Sequence, residues 1–394
     1  MREVYIVDGV RTPIGRMGGA LSGFRPEELA AFALRGLIEK TKIDPAIVED
    51  VLVGHACTNN AAVNIARWAV LKAGFPVSVT AQTVERQCGS ALQTINTASM
   101  AILAGYGDAY IAGGCESWSN APYLMERQKV PFSLAPNAFI TKEVGPTAET
   151  NAPMGIVAEI LAEEWGISRE EQDAFGLRSQ TLAIRAIEAG YFKEEIVPVT
   201  IPQRKGDPVI FDRDEHPRAT TLEKLAALKP VFKKGGTVTA GSSSGMNDGA
   251  VAVLLMSREK CEAMRLKPLG RFVSCALAGV EPKYMGIGPA YAVPKALERA
   301  GLKLADMDIV ECNEAFASQT LAVMKELQKN GHAVDPEKWN PYGGAIAFGH
   351  PNGMSGGRLA LAVLHHLKRT GGRYGLATLC IGGGQGIATV FERI

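Results

Sequence analysis

Two cysteines, a histidine and an asparagine stand where this sequence could do chemistry. Cys88, in Val84-Glu85-Arg86-Gln87-Cys88-Gly89-Ser90-Ala91-Leu92, sits where an extended run gives way to a helical pattern. The unpaired amides and positive dipole end of such a helix favour an anion, so they would lower the thiol pKa and enrich the nucleophilic thiolate, with Gly89 leaving room for a substrate. The competing reading is a small buried cysteine that fills a gap. His350 lies in Tyr342-Gly343-Gly344-Ala345-Ile346-Ala347-Phe348-Gly349-His350-Pro351-Asn352-Gly353-Met354-Ser355-Gly356-Gly357, where so many glycines suggest a loop that brings backbone near a ligand. An imidazole can take a thiol proton at neutral pH, or it can simply be satisfied by a turn carbonyl. His55, His216, His332, His365 and His366 read as structural.

Cys380 belongs to Leu379-Cys380-Ile381-Gly382-Gly383-Gly384-Gln385-Gly386, a strand entering a glycine loop. A dinucleotide fingerprint needs a helix after its glycines, and here the β-branched run Ile387-Ala388-Thr389-Val390 follows, which counts against NAD. The remaining functional reading is a second thiol beside amide donors, suited to moving a proton next to a developing oxyanion. Asn313, in Cys312-Asn313-Glu314-Ala315-Phe316-Ala317, ends another strand-like run. It can hold a water or a substrate carbonyl, or form a turn.

The elements that must carry these residues read as α/β with buried strands: apolar, β-branched runs alternate with helix-period segments. Strands are expected at Val4 to Asp8, Val51 to Val53, Ala109 to Ala112, Val251 to Met256, Ile309 to Glu311, Gly375 to Ile381 and Ile387 to Glu392. Helices are expected from Gly89 to Ala104, with Leu92, Ile95, Ile102 and Leu103 on or near one face, and from Ser168 to Ala189, with a Ser168/Glu171 capping box and Gly190 as its stop. Lys42 to His55 resembles Lys303 to Asn313, and Gly107 to Gly114 resembles Tyr374 to Gly383, the mark of an internal duplication. Between the halves, about Asn120 to Gly241, lies a region richer in Pro and charge, which reads as an inserted lid or binding subdomain.

With 394 residues the chain is long enough for two or three domains. Its net charge of +1 argues against a broad nucleic-acid or membrane-surface footprint. Seven dispersed cysteines without a Cys-x-x-Cys pair argue against a disulfide framework or a zinc site. No signal-like start and no apolar stretch of about 20 residues is evident, so a cytoplasmic location is expected.

The four segments, in this order, resemble the thiolase family, the acetyl-CoA C-acyltransferases, over essentially the whole chain. Supporting stretches are Arg11-Thr12-Pro13-Ile14-Gly15, Arg169-Glu170-Glu171-Gln172-Asp173, Gly236-Thr237-Val238-Thr239-Ala240-Gly241 and Asn247-Asp248-Gly249-Ala250. The resemblance implies a five-layer αβαβα fold: an N-terminal half at 1–119 and 245–268, an inserted loop domain at 120–244 for CoA binding and oligomer contacts, and a C-terminal half at 269–394. It implies Cys88 as the acylated nucleophile, His350 as its base, Cys380 as acid/base at the substrate α-carbon and Asn313 as holder of a catalytic water. His350 with the Asn313-held water would form one oxyanion hole, and the amides of Cys88 and Gly382 the other. Ser244, Gly245, Met154, Phe232 and Phe316 would line the pantetheine and acyl path, and Arg218 would meet CoA phosphates.

The implied activity is thiolytic cleavage of 3-ketoacyl-CoA, or the reverse Claisen condensation, in fatty-acid β-oxidation and lipid metabolism. Acyl-CoA and CoA would be substrates, with no further cofactor, no metal, no nucleic acid and no membrane, in a homodimer or homotetramer. Alternatives are an acetoacetyl-CoA-specific biosynthetic thiolase, a condensing synthase of the same wider fold, and an acyl-CoA or lipid carrier without turnover. Cys380 favours a thiolase over a synthase. The sequence departs from the family pattern at Asn352 and Met354, where small or aliphatic residues are usual, at Pro153, where short-chain members place His, at Ala91 in place of Gly, and in a shortened Asn120 to Pro153.

Overall fold

Alternation of buried apolar runs with helices produces one large mixed sheet, seen in a computed structural model that describes residues 2–58, 61–128, 130, 138–140 and 142–394. Its main strands are β1 (Val4–Arg11), β2 (Asp50–Gly54), β3 (Thr80–Val84), β4 (Ala109–Ser117), β5 (Asn247–Ser257), β6 (Gly270–Gly279), β7 (Ile309–Cys312), β8 (Tyr374–Ile381) and β9 (Gln385–Glu392). They lie in the order β7-β8-β9-β6-β1-β5-β4-β2-β3. Every residue of β4 and β5 is buried, as expected of strands covered on both faces.

The order is a reflection of itself: β1-β5-β4-β2 on one side repeats as β6-β9-β8-β7 on the other. The halves meet where β1 pairs antiparallel with β6, at Tyr5 opposite Arg271 and Ile6 opposite Gly270. In each half the outer strand is parallel to its inner neighbour, β2 to β4 and β7 to β8. The edge strand β3 pairs parallel with β2; at the equivalent place in the second half Trp339 makes a single parallel bridge to Val310. The duplication expected from sequence is therefore present in the topology.

Two helices, Ser90–Leu103 and Asn352–Thr370, pack in the middle. Their Leu92, Ile95, Leu359 and Leu361 share one buried core with Leu255 of the first half and Leu379 and Ile387 of the second. On the outer face of the first half, Leu29 and Leu34 of the Pro26–Thr41 helix and Ala66 and Val70 of the Ile65–Ala73 helix cover Val51, Ile111 and Leu254. On the outer face of the second, Val293 and Leu297 of Gly288–Ala300 and Val323 and Leu327 of Ala317–Lys329 cover Leu376 and Val390. Helix, sheet, helix, sheet, helix makes five layers.

All seven expected strands are present. The sequence reading omitted β3, whose Thr-Ala-Gln-Thr-Val is polar because it is an edge, and β6, whose small residues give little apolar signal. Leu103, expected on the packed face of its helix, is 39% exposed, since it lies in the last turn beyond the core stripe. The Arg169–Glu188 helix has its capping box: Ser168 N donates to Glu171 Oε2 at 2.7 Å and Glu171 N to Ser168 Oγ at 3.2 Å. Gly190 follows at φ +75°. The stretch 120–244 carries two long helices and a Val199–Ile201/Val209–Phe211 hairpin. The shortening expected at Asn120 to Pro153 bears in part on residues 129, 131–137 and 141, which lie outside the described residues.

Candidate active site

Cys88 stands in a single helical turn, Gln87–Gly89, between the end of β3 and the helix that starts at Ser90. The turn is tight enough to hold Gln87 at φ +42°, an uncommon conformation for a side-chain-bearing residue. Gln87 N and Nε2 both donate to Glu85 Oε1, at 2.6 and 2.7 Å, and Ser90 Oγ ties the turn by accepting from Arg86 N and donating to Gln87 O. Burial is the largest effect on the Cys88 thiol and pushes it up to about 11, against the Asn352 side chain and the backbone amides of Cys88 and Gly382, which favour the thiolate. The expected low pKa is therefore corrected: the resting group is a thiol. Gly89 does not make room for substrate either. A Cβ there would lie 2.8 Å from Ile381 Cδ1, so its role is to let the end of β8 approach the nucleophile turn.

His350 is two residues before the Asn352–Thr370 helix. Its Nδ1 lies 2.6 Å from Ser355 Oγ, and Ser355 donates its own proton to Pro351 O at 3.0 Å. Ser355 must therefore accept from Nδ1–H, which leaves Nε2 of the neutral ring as an acceptor. Asn313 Nδ2, 3.3 Å away, donates to it. Burial first, then the Arg358 charge, pulls the imidazole down to about 4, so it stays neutral at physiological pH. His350 N donates to Gly245 O and to Asn247 Oδ1, both at 3.1 Å.

Cys380, the penultimate residue of β8, is buried, and its thiol is pushed up by burial and then by the neighbouring Cys88 sulfur. Gly383 and Gly384, at φ +82° and +86°, turn the chain directly into β9, so the glycine loop is a hairpin and no helix follows it. Asn313 follows β7, its amide on Thr378 O at 3.0 Å. Its Oδ1 is buried with no hydrogen-bond partner among the described residues.

The expected lining residues fall into two groups. Met154 and Phe316 pack in the same apolar cluster as Cys380, and Phe232 meets Phe316 edge to face at 5.9 Å. Ser244 N donates to Ala315 O at 2.9 Å, and Gly245 carries the carbonyl that holds His350, so this segment runs past the imidazole. Arg218 is exposed, and its backbone N–H donates to Gln180 Oε1 at 2.9 Å; it is not brought against the two sulfurs or the imidazole.

Trp118, Glu116 and His55 were not among the expected site residues, and Asn352 was marked only as a departure from the family pattern. Trp118 Nε1 donates to Asn352 Oδ1 at 2.8 Å, and Asn352 Nδ2 lies 3.2 Å from Cys88 Sγ. Glu116 accepts from Gly353 N at 3.0 Å and from Ala56 N at 3.2 Å, and His55 Nδ1 is 3.0 Å from its carboxylate. Burial opposes charge on His55, but its contacts with Cys115 and Glu116 prevail and hold the imidazole up at about 11, making a buried ion pair. Only Asn352 left a signal, an amide where the motif is otherwise aliphatic.

A half-buried thiol, a neutral imidazole whose Nε2 is an acceptor and a second, buried thiol make a site suited to covalent acyl transfer. The chain belongs to the thiolase family: the thiolase N-terminal domain matches residues 4–259 and the thiolase C-terminal domain residues 266–393. It is a thiolase enzyme. It is 48% identical to the β-ketoadipyl-CoA thiolase of Escherichia coli and 46% identical to an acetyl-CoA acetyltransferase of Pseudomonas aeruginosa, each over 100% of both chains. Among solved structures it resembles human mitochondrial 3-ketoacyl-CoA thiolase in complex with CoA, with a TM-score of 0.92, 39% identity, and 100% and 98% of the two chains covered.

Proposed function

We propose that this chain cleaves 3-ketoacyl-CoA with free CoA, and runs the reverse condensation, through an acyl group carried on Cys88. The observation that carries this reading is the unprotonated Nε2 of His350 in a site where the half-buried Cys88 thiol and the buried Cys380 thiol interact. Cys88 gives its proton to that nitrogen, and Sγ bonds to the 3-keto carbon. The bond between C2 and C3 then breaks, and Cys380 protonates C2 of the departing acetyl-CoA enolate. The thiol of a second CoA gives its proton to the Cys380 thiolate and attacks the acyl carbon, returning the electron pair to Cys88 Sγ, which takes back the proton held on His350 Nε2.

Once protonated, His350 Nε2 becomes a donor and, with a water accepted by the orphan Asn313 Oδ1, serves one oxyanion. The amides of Cys88 and Gly382 serve the other. Each well-placed donor contributes about 3 kcal/mol at the transition state. Ser244, Gly245, Met154, Phe232 and Phe316 line the path of the acyl-pantetheine arm, and Arg218 meets CoA phosphates at the exposed end. The CoA-bound human relative supports CoA as the group carried.

For the acyl chain, the relatives' names divide between acetyl-CoA acetyltransferase and β-ketoadipyl-CoA thiolase. A cavity of about 310 Å³ beside Trp118, lined also by Met17, Cys57, Tyr123 and Met246, contains one cation among the described residues, Lys142, whose Nζ is 3.0 Å from Cys57 Sγ. That lining favours an acyl chain of several carbons ending in a carboxylate. The test is a thiolysis panel from acetoacetyl-CoA through medium-chain 3-ketoacyl-CoA to 3-oxoadipyl-CoA, with free CoA and product acyl-CoA measured by mass spectrometry. Turnover of none of them would refute the activity, and a preference for acetoacetyl-CoA alone would select the biosynthetic alternative.

The division into halves 1–119 with 245–268 and 269–394 around an insert at 120–244 belongs to the same proposal, supported by the mirrored strand order. So do a role in β-oxidation, a cytoplasmic location, supported by seven free cysteines, and a homodimer or homotetramer. The exposed edge of β3 and the exposed Tyr123, Met125 and Phe139 offer a second copy a surface. Light scattering on the purified chain measures the oligomer, and a monomer would refute that part. Among the described residues no helix is long and apolar enough to cross a membrane.

A further inference from the structure

We propose that Asn352 is a catalytic residue of the acyl-transfer steps: its side-chain amide, locked by Trp118, donates a hydrogen bond to Cys88 Sγ and stabilises the negative charge on that sulfur. This rests on Cys88 being the nucleophile. The orientation of the amide follows from its partners. An indole N–H can only donate, so the Asn352 atom 2.8 Å from Trp118 Nε1 must be the carbonyl oxygen. The NH₂ group is then the one that faces Cys88 Sγ, at 3.2 Å. The backbone beneath it is also fixed, because Gly353 N–H is held by Glu116, which is itself held by His55 and the amides of Ala56 and Cys57.

The donor acts in both directions of acyl transfer. When the Cys88 proton passes to His350 Nε2 and Sγ attacks the keto carbon, the amide has already favoured the thiolate. When the CoA sulfur attacks the acyl carbon, the bond from that carbon to Sγ breaks and the pair returns to Sγ, where the same hydrogen bond receives it. A thiol of lower pKa leaves faster, and it loses less in nucleophilicity than it gains in thiolate fraction. The titratable groups that act on Cys88 are Glu116 on β4, paired with His55, and Cys380 on β8; His350 lies two residues before Asn352 in the chain. The Glu116 charge opposes the thiolate, so the amide offsets it.

The experiment is the rate of Cys88 alkylation by iodoacetamide in the full-length chain without any acyl-CoA. It is read by peptide mass spectrometry between about pH 6 and 11, the range in which thiols titrate, for wild type, Asn352→Leu and Trp118→Phe. Asn352→Leu keeps the volume and removes the donor. Its rate profile should move to higher pH by about one unit; the thiolate fraction near pH 8 falls about tenfold while the thiolate's nucleophilicity rises about threefold, so alkylation there should be roughly three- to fourfold slower. Trp118→Phe frees the amide to rotate and should move the profile the same way by less. A profile for Asn352→Leu that superimposes on wild type would overturn the proposal. If that variant does not fold, Trp118→Phe decides alone, and no shift in it is equally fatal. Wild-type protein that never forms an acyl-enzyme would instead defeat the thiolase reading, which this measurement does not use.

Discussion

The two halves of the sheet hold the same helix in the same place and do opposite things with its first turn. In the first half Cys88 stands two residues before the Ser90–Leu103 helix; in the second, His350 stands two residues before Asn352–Thr370. The duplicated scaffold thus presents a thiol and an imidazole from equivalent positions. Burial penalises charge on both, raising the thiol and lowering the imidazole, so the resting pair is neutral. The halves differ in how each start is fixed. The surroundings of Cys88 rest on a buried ion pair, His55 with Glu116, whereas His350 rests on uncharged hydrogen bonds through Ser355 and Asn313.

That contrast orders the expected losses. Cys88→Ala should lower thiolysis by about four orders of magnitude or more, since an enzyme without its nucleophile keeps only binding and oxyanion stabilisation. A steady-state rate within tenfold of wild type would contradict the division of roles. His350→Asn should cost about two to four orders of magnitude, the span for a general base. In wild type the base form is present above about pH 4, so kcat/KM should fall only as pH drops through that value; an acid limb near the ordinary histidine value would show an unburied, charged imidazole. Because an unfolded chain would protonate His350 near pH 6.5, the same group contributes stability that is present above that pH and lost as pH falls towards about 4.

His55→Leu leaves Glu116 buried without its counter-charge and should destabilise the fold by about 3–5 kcal/mol, read as a shift in the denaturant midpoint. A neutral result would mean that the ion pair does not fix the first half. The smallest effect is Ser355→Ala: losing the two neutral hydrogen bonds of its hydroxyl, to His350 Nδ1 and Pro351 O, costs about 1–3 kcal/mol and should slow acyl transfer several-fold by loosening the tautomer of His350, with a smaller change in midpoint than His55→Leu. If Ser355→Ala proved as destabilising as His55→Leu, the two halves would be fixed alike.

Much of this site was legible before any coordinates. The strand ends that carry Asn313 and Cys380 and the helix start that carries Cys88 follow from local apolar runs and glycine spacing, because these are short-range properties. What the sequence could not carry was burial and long-range pairing. The same helix start that promised an acidic thiol is enclosed between both halves, and enclosure outweighs the dipole. Gly89 looked like space, but Ile381 from the other half occupies it. Trp118 and Asn352 are 234 positions apart, and no periodicity links them. The edge strand β3 was missed because its polar residues are the ones an exposed edge needs.

The most direct test of covalent catalysis is intact-mass spectrometry of the wild-type chain, Cys88→Ser and Cys380→Ser after mixing with acetyl-CoA. One acetyl group per chain is expected on wild type and none on Cys88→Ser, while Cys380→Ser should still acquire its acetyl group but form no acetoacetyl-CoA. Acetylation that persists on Cys88→Ser, or that fails on wild type, would contradict an acyl group carried on Cys88.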